Sequence, residues 1–263
     1  MGEKQQQQGE RQVRMSRRKR AGLAAVTAIV AMLGAGVASA EVGGWAFSVT
    51  PYLWLTEMDG DVAVRGHSVP VDVSFGDSLD MLKDVRGALM IHGEANRGEL
   101  TGLADIYAIA IRQQNTTPAG ETDLRMTTYI GELAAAYALP VPVKGLKVEA
   151  LGGARYTLLR ARLIVDAADV DVDKNQGWTD PFVGGRLTYA AGEKVTLSLR
   201  GDIGGFGIGS DLAWNAVGAA SWTFAENWSA VLAYRLLDMD YDHNGFKYNV
   251  RTDGPALGVT YMF

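Results

Sequence analysis

Near its end the chain carries DMDYDHNG, which sets His243 beside Asp240 and Asp242. A carboxylate that accepts from one imidazole nitrogen orients the ring, and the other nitrogen can then take a proton from water, so the segment has the composition of an Asp–His general base. The same stretch places Asp240, Asp242, Asn244 and Gly245 at the first, third, fifth and sixth positions of a calcium loop, but Arg251 stands at the twelfth, where a bidentate acid is required. In DVDVDKN, Asp169, Asp171 and Asp173 repeat the spacing, with Lys174 where the loop needs glycine. Both segments read more simply as solvated acidic loops. GGFGIGS is rich in glycine but leads from one strand pattern into another, so no helix N-terminus is there to meet a phosphate. With no cysteine in 263 residues, disulfides, thiolate metal sites and cysteine nucleophiles are excluded, and no motif calls for a cofactor or a metal.

A larger set of charged residues recurs at every second position. In VTLSLRGDIGG, Val195, Leu197, Leu199, Gly201 and Ile203 point one way and Thr196, Ser198, Arg200 and Asp202 the other. In ALMIHGEANRG, His92, Glu94 and Asn96 oppose Leu89, Ile91 and Ala95; in PFVGGRLTY, Arg186 and Thr188 oppose Val183, Leu187 and Tyr189. Carried through the chain, this alternation puts Arg86, His92, Glu94, Asp105, Glu132, Glu149, Arg155, Asp180, Arg186, Arg200, Asp202 and Arg235 on the polar face, six acidic groups against six basic or potentially basic ones.

The elements that carry these residues are strands. Ten candidates run over about 44–57, 85–96, 99–112, 124–139, 145–164, 177–190, 194–206, 211–224, 228–240 and 247–263. Many are near the ten residues that a tilted strand needs to cross a bilayer. Connections after the even strands are short (Asn96 to Gly98, Pro140 to Lys144, Ala191 to Glu193, Ala225 to Asn227). Those after the odd ones are longer and polar (58–84, 113–123, 165–176, 241–246), with 207–210 the exception. The pattern predicts an all-β transmembrane antiparallel up-and-down barrel of about ten strands (eight to twelve), with short periplasmic turns and longer external loops. A soluble β-sandwich also alternates and is the competing architecture. In a barrel of this width the apolar face meets lipid and the charged face fills the interior, which predicts a salt-bridged lumen, with a narrow pore as the alternative. Trp45, Phe47, Trp222, Phe224, Trp228, Tyr261 and Phe263 fall at one set of strand ends, and Trp54, Trp178, Trp214, Tyr241 and Phe246 at the other, as two interfacial girdles would.

The first forty residues read as a targeting segment. Arg17, Arg18, Lys19 and Arg20 form a basic region, AGLAAVTAIVAMLGAGV a short apolar run, and Ala38, Ser39 and Ala40 a signal-peptidase site. Met15 is an alternative start, the general secretion route is expected, and the barrel domain spans 41–263. Those forty residues hold seven Lys/Arg and two Asp/Glu, which leaves 18 basic against 28 acidic residues and a net charge of −10. Phosphate backbones require a basic surface, so nucleic acid is not an expected partner. The partners expected instead are outer-membrane lipid and lipopolysaccharide.

The final PALGVTYMF alternates Leu257, Val259, Tyr261 and Phe263. It resembles the C-terminal signature that outer-membrane barrels present to the barrel-assembly machinery. GGWAFSVTPYLWL, VDVSFGDSLDML, RGDIGGFGIGSDLAW and AYRLLDMDYDHNGFKYNVRTDGPALGVTYMF together resemble a family of proteobacterial outer-membrane barrels in the class of small OmpA/OmpW-like barrels. The resemblance spans nearly all of 41–263 and implies fold and a Gram-negative outer-membrane location, not a reaction. It makes a structural or surface-exposed role the expectation and a porin-like channel the alternative. An outer-membrane hydrolase is the third class. An omptin-like protease, also ten-stranded, would use His243, but no second aspartate pair identifies itself; a lipid A deacylase would need its histidine on the outer wall, whereas His92 is expected to face inward and His67 lies in a loop.

Overall fold

The computed structural model describes residues 44–64, 67–74, 76, 90–117, 120–165, 170–243 and 245–263. The proposed signal segment, Arg86, Asp169 and Asn244 lie outside the described residues. The described residues form one antiparallel sheet: β1 Ala46–Trp54, β2 Glu57–Val64, β3 His67–Val73, β4 Met90–Arg97, β5 Leu100–Thr117, β6 Gly120–Leu139, β7 Leu146–Val165, β8 Val170–Ala190, β9 Val195–Gly205, β10 Leu212–Ala225, β11 Trp228–His243 and β12 Phe246–Met262. Strands β1 and β4 to β12 pair in sequence order, and β1 pairs back to β12, so ten strands close into an up-and-down barrel with no free edge in its lower half. The Phe263 amide reaches the Phe47 carbonyl at 2.9 Å, which continues the closing seam to the last residue.

The ten strands of the sequence pattern are present, but its long connections are built differently. Much of 58–84, read as a loop, is the hairpin β2–β3. Most of 113–123, 165–176 and 241–246 is strand as well: Thr117 already pairs with Gly120, Val165 with Val170 and His243 with Phe246. QQNTT offers no apolar alternation to read, whereas the ladder needs only the backbone groups, which every residue but proline supplies in full. The seam also changes partners: residues 256–262 of β12 pair with β1 and residues 246–253 with β2. Gly254 sits at the switch with φ +152°, and a Cβ there would lie 1.9 Å from the Leu55 carbonyl oxygen. Only glycine tolerates that approach.

The outer wall is apolar. Ile106, Leu133, Val183, Leu199, Leu232 and Leu257 are each more than half exposed and belong to different strands. A continuous band of this kind exceeds what a soluble monomer leaves in water and matches the lipid-facing belt of a barrel. Trp45 and Phe47, Trp222 and Phe224, and Trp228, Tyr261 and Phe263 make ring contacts at the end that holds the tight turns. The second expected girdle is different. Trp54, Trp178, Tyr241 and Phe246 are buried inside the barrel, where Trp178 stacks on Tyr241 at 4.3 Å, and only Trp214 of that group shares the outward face. The two-residue period assigns each of these rings to a side, but the chain reads simply as aromatic near a strand end, and that hides the difference.

Candidate functional site in the barrel lumen

The interior has three layers. At the turn end, a cavity of about 510 Å³ is lined by Ser and Thr hydroxyls and small apolar side chains. Across the middle lies a layer of charges. Beyond it, Met58, Val62, Ile109, Met126, Leu159, Leu237, Met239, Tyr248 and Val250 pack as an apolar core with the buried aromatic rings.

The charged layer is assembled from opposite walls. Asp105 of β5 and Glu132 of β6 are direct cross-strand neighbours, an unfavourable juxtaposition of like charges taken alone. Arg235, projecting from β11, clamps both: Nη1 donates to Asp105 Oδ2 at 3.0 Å and Nη2 to Glu132 Oε1 at 2.7 Å. Its Nε donates to Asn215 Oδ1 at 3.0 Å, Nη2 also reaches the Tyr107 hydroxyl at 2.7 Å, and the guanidinium lies over the Trp54 and Tyr107 rings. Arg155, fully buried, donates through Nε to Glu132 at 2.9 Å and through Nη2 to Asp202 at 2.7 Å. Arg200 bridges Glu132 and Asp202 from the next wall, and Phe182 lies beneath both Arg155 and Arg200. Lower down, Arg186 binds Glu94 at 2.6 Å and Glu149 at 2.7 Å, and Lys147 and Thr101 complete Glu149. His92 donates through Nε2 to Glu94 Oε1 at 3.1 Å. Nearly every carboxylate thus holds two or more donors, the condition under which a buried ion pair offsets its desolvation.

Of the twelve residues that the alternation places inward, ten join this set of contacts. Asp180 is inward and fully buried but takes a different partner set: the Ser210 amide and hydroxyl, at 2.5 and 2.9 Å, and the Trp178 indole at 3.1 Å, so it fastens the β9–β10 turn and forms no ion pair among the described residues. Arg86 lies outside the described residues. Tyr52, Tyr107, Asn215, Lys147 and Thr101 belong to the contacts but carried no functional reading in the sequence. Four of them stand two positions from a named residue or share its face: Tyr107 follows Asp105, Lys147 precedes Glu149, and Tyr52 and Thr101 face inward on β1 and β5. Parity alone would have found them.

The Asp–His arrangement suggested by DMDYDHNG does not form. His243 shares the inward face of β11 with Met239 and Tyr241, its ring 5.1 Å from that of Tyr241, whereas Asp240 and Asp242 occupy the opposite face. His67 begins β3, with its side chain outside the described residues. Among the described residues no group of three or more His, Asp or Glu side chains is placed to hold a metal ion, and no helix is long and apolar enough to cross a membrane.

No protein-family model and no curated protein sequence matches the chain. Solved structures similar to it include the outer membrane protease OmpT from Escherichia coli, with 12% identity, TM-score 0.49, and 84% of this chain and 98% of that chain covered. The translocator domain of the autotransporter NalP from Neisseria meningitidis aligns at 11% identity and TM-score 0.39, covering 92% of this chain and 97% of its own. Neisserial surface protein A aligns at 13% identity and TM-score 0.37, covering 84% and 98%. Closed pairing, an apolar outer wall and a charged interior give this chain the architecture of an outer-membrane β-barrel protein.

Proposed function

We propose that residues 41–263 form an integral outer-membrane barrel of a Gram-negative envelope, exported by general secretion after loss of residues 1–40, whose lumen is closed and whose role is structural or surface-exposed. The observation that carries this reading is the reach of Arg235 across the lumen to Asp105 and Glu132, with Arg155 and Arg200 on the same glutamate. Four guanidinium groups and five carboxylates fill the cross-section of a barrel too narrow to leave a wide path beside them. Outer-membrane lipid and lipopolysaccharide are the partners of the apolar wall, and the barrel-assembly machinery reads the Leu257, Val259, Tyr261, Phe263 strand. The reading assigns no catalysis, in keeping with the separation of His243 from Asp240 and Asp242.

Planar-bilayer recording of the purified barrel tests it. A folded barrel that gives no discrete current steps is the expected result; steps that change selectivity when Arg200 is replaced would overturn it. A second reading, a narrow gated channel for small solutes, is favoured by the cavity that already empties the turn-end half of the lumen, and the same recording separates the two.

A further inference from the structure

The charged layer contains two like-charged cross-strand pairs, and they are treated differently. Asp105 and Glu132 are neutralised by one cation, Arg235, that touches both. Arg186 of β8 and Arg200 of β9 are also direct cross-strand partners, both facing inward. At that register two Cβ atoms lie about 5 Å apart, where like charges repel. No carboxylate bridges them. Arg186 turns to Glu94 and Glu149, and Arg200 to Glu132 and Asp202.

Each guanidinium has spare donors. Arg186 donates through Nε and Nη1, and Arg200 through Nε and Nη2. A guanidinium carries five N–H groups, so Nη2 of Arg186 and Nη1 of Arg200 are left with no partner among the described residues. Both side chains are 12% exposed and line the turn-end cavity, while Glu149, Glu132 and Asp202 behind them are 0 to 3% exposed. The two guanidinium groups therefore stand in front of these three carboxylates, while Glu94, 21% exposed, reaches the cavity itself. Glu94 and Asp105 also border the cavity, but Glu94 is held by His92 and Arg186, and Asp105 by Arg235 and Tyr52.

We propose that the turn-end cavity is a binding site for a small organic carboxylate, whose head occupies the gap between Arg186 and Arg200 that no protein anion fills. Planar two-oxygen groups suit the guanidinium fork. The remainder of the ligand lies against Val217, Ala219, Val231, Ala233 and the hydroxyls of Ser198 and Ser221, a wall that accepts an apolar body with few polar groups. The site is reached from the turn end and does not depend on whether the lumen conducts.

The test is calorimetric titration of the full chain, produced with its N-terminal segment and purified from the envelope in a maltoside detergent, with benzoate and its uncharged isostere benzamide. Heat-modifiable gel migration reports the folded barrel in every sample. Saturable benzoate binding is expected, with benzamide at least tenfold weaker, since each charge-assisted hydrogen bond is worth a tenfold change or more. Arg200→Gln and Arg186→Gln should each weaken benzoate by tenfold or more. Ala219→Trp fills the cavity from β10 at a position that pairs with Ser198 and replaces neither arginine, should abolish binding in a barrel that still folds, and keeps the test decisive if the glutamine variants do not assemble. Absence of benzoate binding to folded protein, equal affinity for benzamide, or binding that survives Ala219→Trp overturns the proposal.

Discussion

Replacing Arg235 with leucine should cost more than replacing Arg155, although Arg155 is the more deeply buried of the two. The reason lies in what each removal strands. Without Arg155, Glu132 keeps Arg235 and Arg200, and Asp202 keeps Arg200 and the Asn215 amide at 2.8 Å. The loss is then a few charge-assisted hydrogen bonds with no orphaned ion, about 1–3 kcal/mol. Without Arg235, Glu132 still holds two arginines, but Asp105 retains only the Tyr52 hydroxyl at 2.8 Å, with the His92 ring 4.0 Å away. A buried carboxylate left in that state costs about 3–5 kcal/mol. The stacking of the guanidinium on Trp54 and Tyr107 is lost too, at about 0.5–2 kcal/mol. Adding Asp105→Leu to Arg235→Leu removes the stranded charge, so the double variant should recover about 2–3 kcal/mol relative to Arg235→Leu alone, the size of coupling expected for contacting residues. Urea unfolding in lipid vesicles, followed by tryptophan fluorescence, measures all four proteins. The reasoning is refuted if Arg155→Leu proves the more damaging, or if Asp105→Leu deepens the defect of Arg235→Leu.

Three further outcomes follow from the wall. Gly254→Ala drives a Cβ to 1.9 Å from the Leu55 carbonyl oxygen at the partner switch of β12; it should lower the yield of heat-modifiable barrel sharply, and a normal yield would show that the switch is not rigid. Gly60→Ala makes a similar collision with the Asn249 carbonyl oxygen, at 2.1 Å, but on β2; the damage should stay in the β2–β3 hairpin, with faster proteolysis there and an unfolding midpoint for the barrel that is little changed. Leu133→Arg puts a charge on an outward side chain that is 69% exposed. It should destabilise the barrel in vesicles by about 2–4 kcal/mol, and a neutral effect would argue against lipid contact at that height.

The period of two was enough to read the barrel, because a wall between lipid and a packed interior forces every strand to alternate. Val195 to Gly205 shows this most plainly: the exposed Val195, Leu197, Leu199 and Ile203 interleave with the inward Arg200 and Asp202. The same rule was missed in 58–84, where buried Met58, Val62, Val71 and Val73 alternate with exposed Asp59, Asp61 and Asp72. The two runs are short and interrupted by Gly60 and Pro70, so the segment read as loop although β2 and β3 are there. Side chain direction was legible for ten of the residues in the charged layer, but partners were not. Parity says that Asp180 and Arg155 both face inward, and the β7–β8 register of the structure makes them cross-strand neighbours, yet Asp180 bonds to Ser210, thirty residues on, because the β9–β10 turn folds over it.

What a sequence pattern lacks is the closure of the ring. Arg235 meets Asp105 only because β11 and β5 end up on facing walls, 130 positions apart, and that fact enters with the β1–β12 pairing rather than with any local signal. Closure also explains why the charges sit in one layer and not throughout. An arginine spans a barrel of this width only where a carboxylate waits on the far wall, and an unmatched ion in the interior is expensive. Above that layer Ile109, Met126, Leu159 and Met239 fill the space with apolar side chains that need no partners, while below it small residues and hydroxyls leave it open. The acid pair at Asp105 and Glu132 received its bridging cation from the opposite wall; the basic pair at Arg186 and Arg200 faces the open space with its spare donors. If an anion is what that space holds, the barrel has one matched layer supplied by its own chain and one by its surroundings.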